Sequence, residues 1–111
     1  MKTKSGWSFE FLNAVVKAEA DALPSDMRSR LYRYSNIIEG EGLDALPFGW
    51  IKPLGDKLWE LRLTGRDGIA RAIYLTATGK RVVIVRVFIK KTEQTPTKEL
   101  RLARERAKSV T

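Results

Sequence analysis

The sequence predicts an α+β domain in which an N-terminal strand and a helical hairpin pack on a mainly antiparallel sheet. Three observations lead to this prediction. Apolar residues recur at helical spacing in the first half of the chain and alternate along three consecutive runs of the second half. Short links containing glycine separate those runs, as in hairpins. The chain has 111 residues, which fits a single domain, residues 1–111, with its core at about 7–108.

The N-terminal third is predicted to form one strand and two helices. Trp7–Leu12 alternates large apolar residues with polar ones, as a half-buried strand does. Ala14–Leu23 then changes to helical spacing. The inward stripe of this first helix is predicted to be Val15, Ala18 and Ala22. The stripe of the second helix is Met27, Leu31, Tyr34 and Ile38.

The second half is predicted to form a meander of three strands. Residues 43–57 contain two prolines and two glycines, which predicts a connector without its own strand or helix. The strands follow at Leu58–Leu63, Ile69–Thr76 and Arg81–Ile89. Strict alternation along the last strand places Arg86 and Phe88 on the same face as Val82 and Ile84.

A C-terminal helix completes the predicted order β-α-α-β-β-β-α. Thr95 is expected to be its N-cap, with Pro96 at the first helical position. Its apolar stripe is Leu100, Ala103, Ala107 and Val110. Its outer side is expected to carry Arg101, Arg104, Arg106 and Lys108. With the helices on one face of the sheet, we expect the other face to be open or covered by a partner.

Composition excludes several classes of chemistry. The chain has no cysteine and no histidine, so disulfide scaffolds, zinc ribbons, thiol nucleophiles and histidine bases are ruled out. No apolar run approaches the roughly 18 residues that span a membrane, and no signal-peptide core follows Met1. We therefore expect a cytoplasmic protein.

The net charge of +8 is unevenly distributed along the chain. Residues 1–61 hold eight Lys and Arg against nine Asp and Glu, whereas residues 62–111 hold thirteen against four. A basic surface of this kind is typical of nucleic-acid binding. A solubilising surface and a site for an acidic partner protein remain alternatives.

The polar strand residues suggest a site for a phosphodiester. Glu60 and Arg62 share one face of the first meander strand, Arg71 and Arg86 lie on the next two strands, and Lys90-Lys91 follows. Arginine and lysine side chains around one carboxylate fit phosphate recognition, because guanidinium groups pair with two phosphate oxygens. Taken singly, each of these residues is more often an ordinary surface charge or a cross-strand ion pair than a functional group.

Four segments of the chain together resemble the RelE/ParE toxin superfamily, and most closely its phage-derived HigB-like branch. The segments are Leu58-Trp59-Glu60-Leu61-Arg62, Arg71-Ala72-Ile73-Tyr74, Phe88-Ile89-Lys90-Lys91 and Pro96…Ala103…Arg106. The similarity runs from about Trp7 to Lys108. The resemblance implies a microbial-RNase-like α+β fold and the toxin of a type II toxin–antitoxin system.

The resemblance also implies a mechanism and partners. The toxin would be a ribosome-dependent mRNA endonuclease that uses no metal or cofactor. Its partners would be the ribosome, mRNA and a small helix-turn-helix antitoxin, with no membrane contact. Catalytic roles would fall to Arg71, Arg62, Lys91 and Glu60. Contacts with RNA or the ribosome would fall to Lys90, Arg86, Arg101 and Arg104.

The chain departs from its relatives before the last helix. Residues 92–97 contain neither the Tyr nor the His that many relatives carry there, so the general acid is unassigned. Two other functions therefore stay open: a ParE-like toxin that binds gyrase without nuclease activity, and a non-catalytic phage-derived nucleic-acid-binding protein.

Overall fold

A computed structural model of the chain describes residues 5–90 and 94–110. Five strands and three helices are present there, with two short 3₁₀ turns at Leu43–Ala45 and Phe48–Trp50. The strands are β1 (Ser8–Phe11), β2 (Ile51–Gly55), β3 (Leu58–Gly65), β4 (Gly68–Ala77) and β5 (Arg81–Lys90). The helices are α1 (Ala14–Asp21), α2 (Ser25–Glu41) and α3 (Thr97–Ala107). Within the described ranges, no helix is long and apolar enough to cross a membrane.

The five strands form one sheet in the order β1-β5-β4-β3-β2. The strands from β2 to β5 are antiparallel neighbours in chain order, and β1 pairs in parallel with β5. The α1–α2 hairpin lies between β1 and this meander in sequence, and such a crossover allows parallel pairing. The predicted α+β class and mainly antiparallel sheet are confirmed.

The predicted connector at residues 43–57 was wrong in one part, because it contains β2. This edge strand pairs Lys52 with Glu60 and Pro53 with Trp59. Proline lacks a backbone N–H and is tolerated at a sheet edge, where one side of the strand needs no partner. The observed order is therefore β-α-α-β-β-β-β-α, with one strand more than the sequence predicted.

The main core lies between the α1–α2 hairpin and one face of the sheet. The predicted stripe of α2 is confirmed, since its four residues are at most 1% exposed. The stripe of α1 was wrong: Val16 and Ala20 are buried, whereas Val15 is 58% exposed. Val15 and Val16 are both apolar, so spacing alone allowed either stripe. The side chain of Asn13 caps the helix by accepting a hydrogen bond from the Val16 N–H at 3.1 Å.

Helix α3 packs on the opposite face of the sheet, which corrects the prediction that all helices share one face. A second apolar cluster forms there around Val85, Phe88 and Ala103. The helix begins at Thr97 with Pro96 in the cap position, one residue later than predicted. This face is therefore covered by α3 only in part.

A β-bulge in β5 breaks the alternation that the sequence predicted. Ile73 and Tyr74 are consecutive in β4, yet they pair with Arg86 and Ile84, which leaves Val85 as the extra residue. Beyond the bulge every side chain changes face. The bulge therefore turns Arg86 and Phe88 away from the helical hairpin and toward the face that carries α3.

An ion-pair network fixes this bulge between two helices. Glu19 of α1 lies 2.8 Å from Arg86 and 2.9 Å from Arg106, and it accepts the Val87 N–H at 3.1 Å. Arg86 also pairs with Glu99 of α3 at 2.8 Å, and Arg106 donates to the Val85 carbonyl at 2.9 Å. Arg106 therefore lies inward, against the prediction for the outer side of the last helix.

The contacts within this network shift the pKa values of Glu19 and Arg86 from their ordinary values. Burial alone would raise the pKa of Glu19, but the hydrogen bonds from Arg106 and Val87 N–H and the charge of Arg86 lower it below its ordinary value. The hydrogen bond with Glu99 is the largest of the effects that raise the pKa of Arg86, so that guanidinium stays charged. A carboxylate with a lowered pKa in the folded state stabilises that state at neutral pH.

We expect Glu19→Gln to lower the free energy of unfolding by about 2–3 kcal/mol, because two half-buried guanidinium groups lose a carboxylate. Urea denaturation at pH 7 measures this change. Glu41→Gln, an exposed carboxylate at the end of α2, is the control and should stay within about 0.5 kcal/mol of wild type.

The pH dependence of that difference provides a second check. Because the folded-state pKa of Glu19 is lowered, its contribution is complete above the ordinary value of 4.5 and is lost as pH falls through the lower folded value. The difference in the free energy of unfolding between wild type and Glu19→Gln should therefore become smaller only at acidic pH. An equal difference in the free energy of unfolding at every pH would show that the lowered pKa of Glu19 is not its cause.

Candidate functional site

The polar part of the α3-bearing sheet face gathers charged residues from four strands. We call them the sheet-face cluster: Lys52 of β2, Glu60 and Arg62 of β3, Arg71 of β4 and Lys90 of β5. The register explains the grouping, because Lys52 is opposite Glu60 and Arg62 is opposite Arg71. Directly opposed residues of paired strands point to the same face. The cluster has four formal positive charges and one negative charge.

A buried ion pair forms the centre of the cluster. Arg71 Nε lies 2.8 Å from Glu60 Oε1, and the two side chains are only 4% and 0% exposed. Thr95, just before α3, donates its hydroxyl hydrogen to the same Oε1 at 3.0 Å. One carboxylate thus links β3, β4 and the segment that leads into α3. The Arg71 guanidinium is held in a fixed position by this arrangement.

Lys90 lies beside this pair at the end of β5. It is 7% exposed, and among the described residues its Nζ has no hydrogen-bond partner. Burial, followed by the charge of Arg71, lowers the pKa of Lys90, and Lys52 and Arg62 lower it further while Glu60 opposes them. The ammonium group is therefore more acidic than that of an ordinary lysine.

Arg62 is a further cation of the sheet-face cluster. Its side chain is half-buried, and its backbone carbonyl accepts a hydrogen bond from the Tyr34 hydroxyl at 2.9 Å. That bond ties β3 to helix α2 on the opposite side of the sheet. Burial is the main reason that the pKa of Tyr34 is raised, so the hydroxyl keeps its proton and remains a donor.

The other residues predicted to contact substrate lie apart from the cluster. Arg86 is engaged by Glu19 and Glu99 in the network that fixes the β5 bulge. Arg101 is exposed on α3, and Arg104 is exposed but pairs with Asp56 at 2.7 Å. Lys91 lies outside the described residues.

Sequence reasoning missed Lys52 and Thr95. Lys52 was placed in a connector, although its position between Ile51 and Pro53 also fits an edge strand opposite Glu60. Thr95 was expected to cap a helix, but its hydroxyl contacts Glu60 35 residues earlier in the chain. No local sequence pattern predicts this long-range contact.

The arrangement is suited to binding a phosphodiester. After Arg71 and Glu60 pair, three cations of the cluster face one neutral ion pair. Guanidinium and ammonium groups at a partly covered sheet face stabilise anionic oxygens more strongly than they would in water. The cluster can therefore bind a phosphate and stabilise additional negative charge on it.

Comparison with known proteins gives a family and a fold. The family described as "Phage derived protein Gp49-like (DUF891)" matches residues 18–108. No curated protein is significantly similar to the chain in sequence. Among solved structures, a chain from the crystal structure of the toxin–antitoxin complex RelBE2 from Mycobacterium tuberculosis matches with a TM-score of 0.52 and 18% identity. The match covers 83% of this chain and 100% of that chain, and it confirms the predicted RelE-like fold.

We expect Arg71→Met to destabilise the protein by about 3–5 kcal/mol, because it leaves the buried Glu60 carboxylate without its cation. The double variant Glu60→Met/Arg71→Met removes both charges and should recover most of that loss. Urea denaturation of the two single variants and the double variant gives the coupling energy. A double variant no more stable than Arg71→Met would contradict the pairing.

Proposed function

The chain belongs to the phage-derived Gp49-like family, and from its RelE-like fold and its sheet-face cluster we propose that it is a type II toxin. In this proposal the protein is a metal-independent, ribosome-dependent mRNA endonuclease that inhibits translation. The carrying observation is the buried Glu60–Arg71 pair surrounded by Lys52, Arg62 and Lys90. The structural neighbour is part of a toxin–antitoxin complex, which supports the toxin role in this proposal.

The proposed reaction is attack of an RNA 2′-hydroxyl on the adjacent phosphorus. Such a step needs cations that stabilise the extra negative charge of the phosphorane. Arg71 and Arg62 are assigned this role, since they oppose each other on neighbouring strands. Preorganised donors are effective because they need no reorganisation as charge develops.

Glu60 is proposed to position Arg71. The carboxylate is fully buried, and its Oε1 already contacts Arg71 and Thr95. A group placed in this way holds a guanidinium in one orientation more readily than it reaches a 2′-hydroxyl. The resemblance implies a catalytic role for Glu60, and the role that we propose for it is the positioning of Arg71. Lys91 stays a proposed catalytic residue.

The positive charge of the chain supports proposed contacts with the ribosome and with an antitoxin. Arg101 and Arg104 project from the exposed side of α3, on the same side of the sheet as the cluster, and are proposed to contact RNA phosphates. With a net charge of +8, the chain favours an acidic antitoxin. A small helix-turn-helix antitoxin and the HigB-like branch both stay proposals.

The first test is mRNA cleavage in a purified translation system. The wild type should cut ribosome-bound mRNA, and Arg71→Lys should reduce the rate by about 10²-fold or more, because one ammonium cannot replace a guanidinium fork. Arg71→Lys is preferred to Arg71→Ala since it keeps a cation beside the buried Glu60. Arg62→Gln should also reduce the rate.

Arg33→Gln is the matched control, because it removes an exposed charge from α2 on the opposite face of the sheet and should leave the rate unchanged. An equal loss in this variant would show that total charge, and not the cluster, drives activity. If the wild type inhibits gyrase supercoiling and leaves mRNA intact, the gyrase-binding function replaces this proposal. Salt-sensitive RNA binding without products would favour a non-catalytic binder.

A further inference from the structure

A cavity walled by aromatic rings opens on the face of the sheet that carries the α1–α2 hairpin. Its volume is about 590 Å³, which is in the range of cavities that bind ligands. Four aromatic side chains line it: Trp7 just before β1, Phe48 in the second 3₁₀ turn, Trp59 of β3 and Tyr74 of β4. We call it the aromatic cavity. Trp59 and Glu60 are consecutive in β3 and point to opposite faces, so the sheet-face cluster lies on the other side of the sheet.

The charge around the aromatic cavity is negative. Asp44 is the one charged side chain among the described residues that line the cavity, and its carboxylate forms no ion pair within the described part of the chain. Glu39 and Glu41 precede it closely, and residues 39–44 contain no lysine or arginine. A cation is therefore favoured in this region, and a phosphate group is disfavoured.

The end of helix α2 adds to this negative charge. The helix ends at Glu41 without a basic residue in its last turn, so its final carbonyl groups keep their partial negative charge. Gly42 follows directly, and a Cβ atom on it would lie 3.7 Å from Cδ1 of Trp7. The carbonyl end of the helix therefore adjoins the wall of the aromatic cavity.

Tyr74 brings to the cavity a hydroxyl group that has no partner in the fold. The residue is 1% exposed, and no hydrogen bond joins its hydroxyl to another described residue. Tyr34, which is buried to the same extent, donates its hydroxyl hydrogen to the Arg62 carbonyl. Burial raises the pKa of Tyr74 to about 12, so the hydroxyl is neutral at physiological pH. Because buried tyrosine hydroxyls usually have a partner, this one is suited to accept a hydrogen bond from a ligand.

We propose that the aromatic cavity binds an arginine or lysine side chain of a partner protein. The faces of aromatic rings attract cations, and tryptophan does so most strongly. The Asp44 carboxylate can pair with the same cation, and the Tyr74 hydroxyl can accept one of its N–H hydrogens. This inference is independent of the proposed nuclease function, because it uses none of the residues of the sheet-face cluster.

Phe48 indicates a protein partner and not a small free cation. It lines the cavity, yet the residue is 94% exposed, and Trp59 beside the same cavity is 37% exposed. A small cation inside the cavity would leave the outer side of Phe48 in water. A polypeptide whose basic side chain enters the cavity can cover Phe48 with a neighbouring apolar residue. Exposed aromatic residues that a partner covers are typical of protein interfaces.

The test uses two peptides with blocked ends, Gly-Leu-Arg-Leu-Gly and the same peptide with citrulline in place of arginine. Citrulline keeps the shape of arginine but has no charge. Binding is followed by NMR at the tryptophan indole N–H groups. The arginine peptide should shift the signals of Trp7 and Trp59, and the citrulline peptide should bind about 10-fold more weakly or less. Trp50 stacks on Tyr34 at 4.6 Å between ring centroids and does not line the cavity, so its signal should stay unchanged.

Two carboxylate variants show whether the charge acts at this cavity. Asp44→Asn should weaken binding of the arginine peptide by about 3–10-fold and leave the citrulline peptide unaffected. Asp67→Asn is the matched control, because it removes an exposed carboxylate from the β3–β4 turn at the other end of β3. It should leave both affinities unchanged. Both aspartates are exposed, so both variants should keep the wild-type melting temperature.

Two further comparisons test the aromatic residues. Trp59→Leu keeps an apolar side chain but removes the indole ring, so it should weaken the arginine peptide more than the citrulline peptide. Phe48→Ala should weaken the arginine peptide but have no effect on N-acetyl-arginine amide, which is too small to cover Phe48. Equal affinity of the wild type for this amide and for the peptide would overturn the protein partner in favour of a small cation.

Three other results would overturn the proposal. Equal affinity for the arginine and citrulline peptides would show an apolar site without preference for a cation. Shifts of Trp7 and Trp59 caused by single-stranded oligouridine, and not by the arginine peptide, would identify a site for nucleic-acid bases. No shift of either signal at millimolar arginine peptide would show that the cavity does not bind this side chain. Activity or inactivity in mRNA cleavage changes none of these outcomes, so the two proposals are tested separately.

Discussion

The buried ion pair between Glu60 and Arg71 is the interaction on which the candidate site depends. It joins the neighbouring strands β3 and β4, and the same carboxylate oxygen accepts the hydroxyl hydrogen of Thr95 from the segment before α3. A buried charge without a partner destabilises a fold, so Glu60 and Arg71 must stay paired. Their pairing thereby constrains where the charged side chains around them lie. The pair also neutralises itself, so the surplus charge of the cluster comes from Lys52, Arg62 and Lys90.

The bulge in β5 determines which residues reach that site. Without the extra residue Val85, strict alternation would direct Phe88 and Lys90 toward the helical hairpin. Glu19 and Arg106 stabilise the bulge by bonding to its backbone, at Val87 N–H and the Val85 carbonyl. Helices on opposite faces of the sheet thus act together on one strand, and their ion pairs set the geometry of the cluster.

Ion pairs within the chain neutralise part of the positive charge of its second half. Thirteen cations lie in residues 62–111, but Arg71, Arg86 and Arg106 are held by carboxylates, two of them by Glu19 from the acidic first half. A guanidinium paired with a carboxylate adds little net charge to the surface, although Arg71 in the cluster can still donate hydrogen bonds to a phosphate. The charge that remains for a phosphodiester is therefore smaller than the composition suggests.

The sequence by itself determined the α+β class, the α2 stripe, the meander of three strands and the shared face of Glu60 and Arg62. These features follow from local periodicity and glycine-bearing turns, which neighbouring residues specify directly. Only the tertiary structure decided the edge strand around Lys52, the bulge at Val85, the contact from Thr95 to Glu60 and the burial of Lys90. Each of these depends on residues distant in the chain, because pairing register and desolvation are set by what packs opposite a residue.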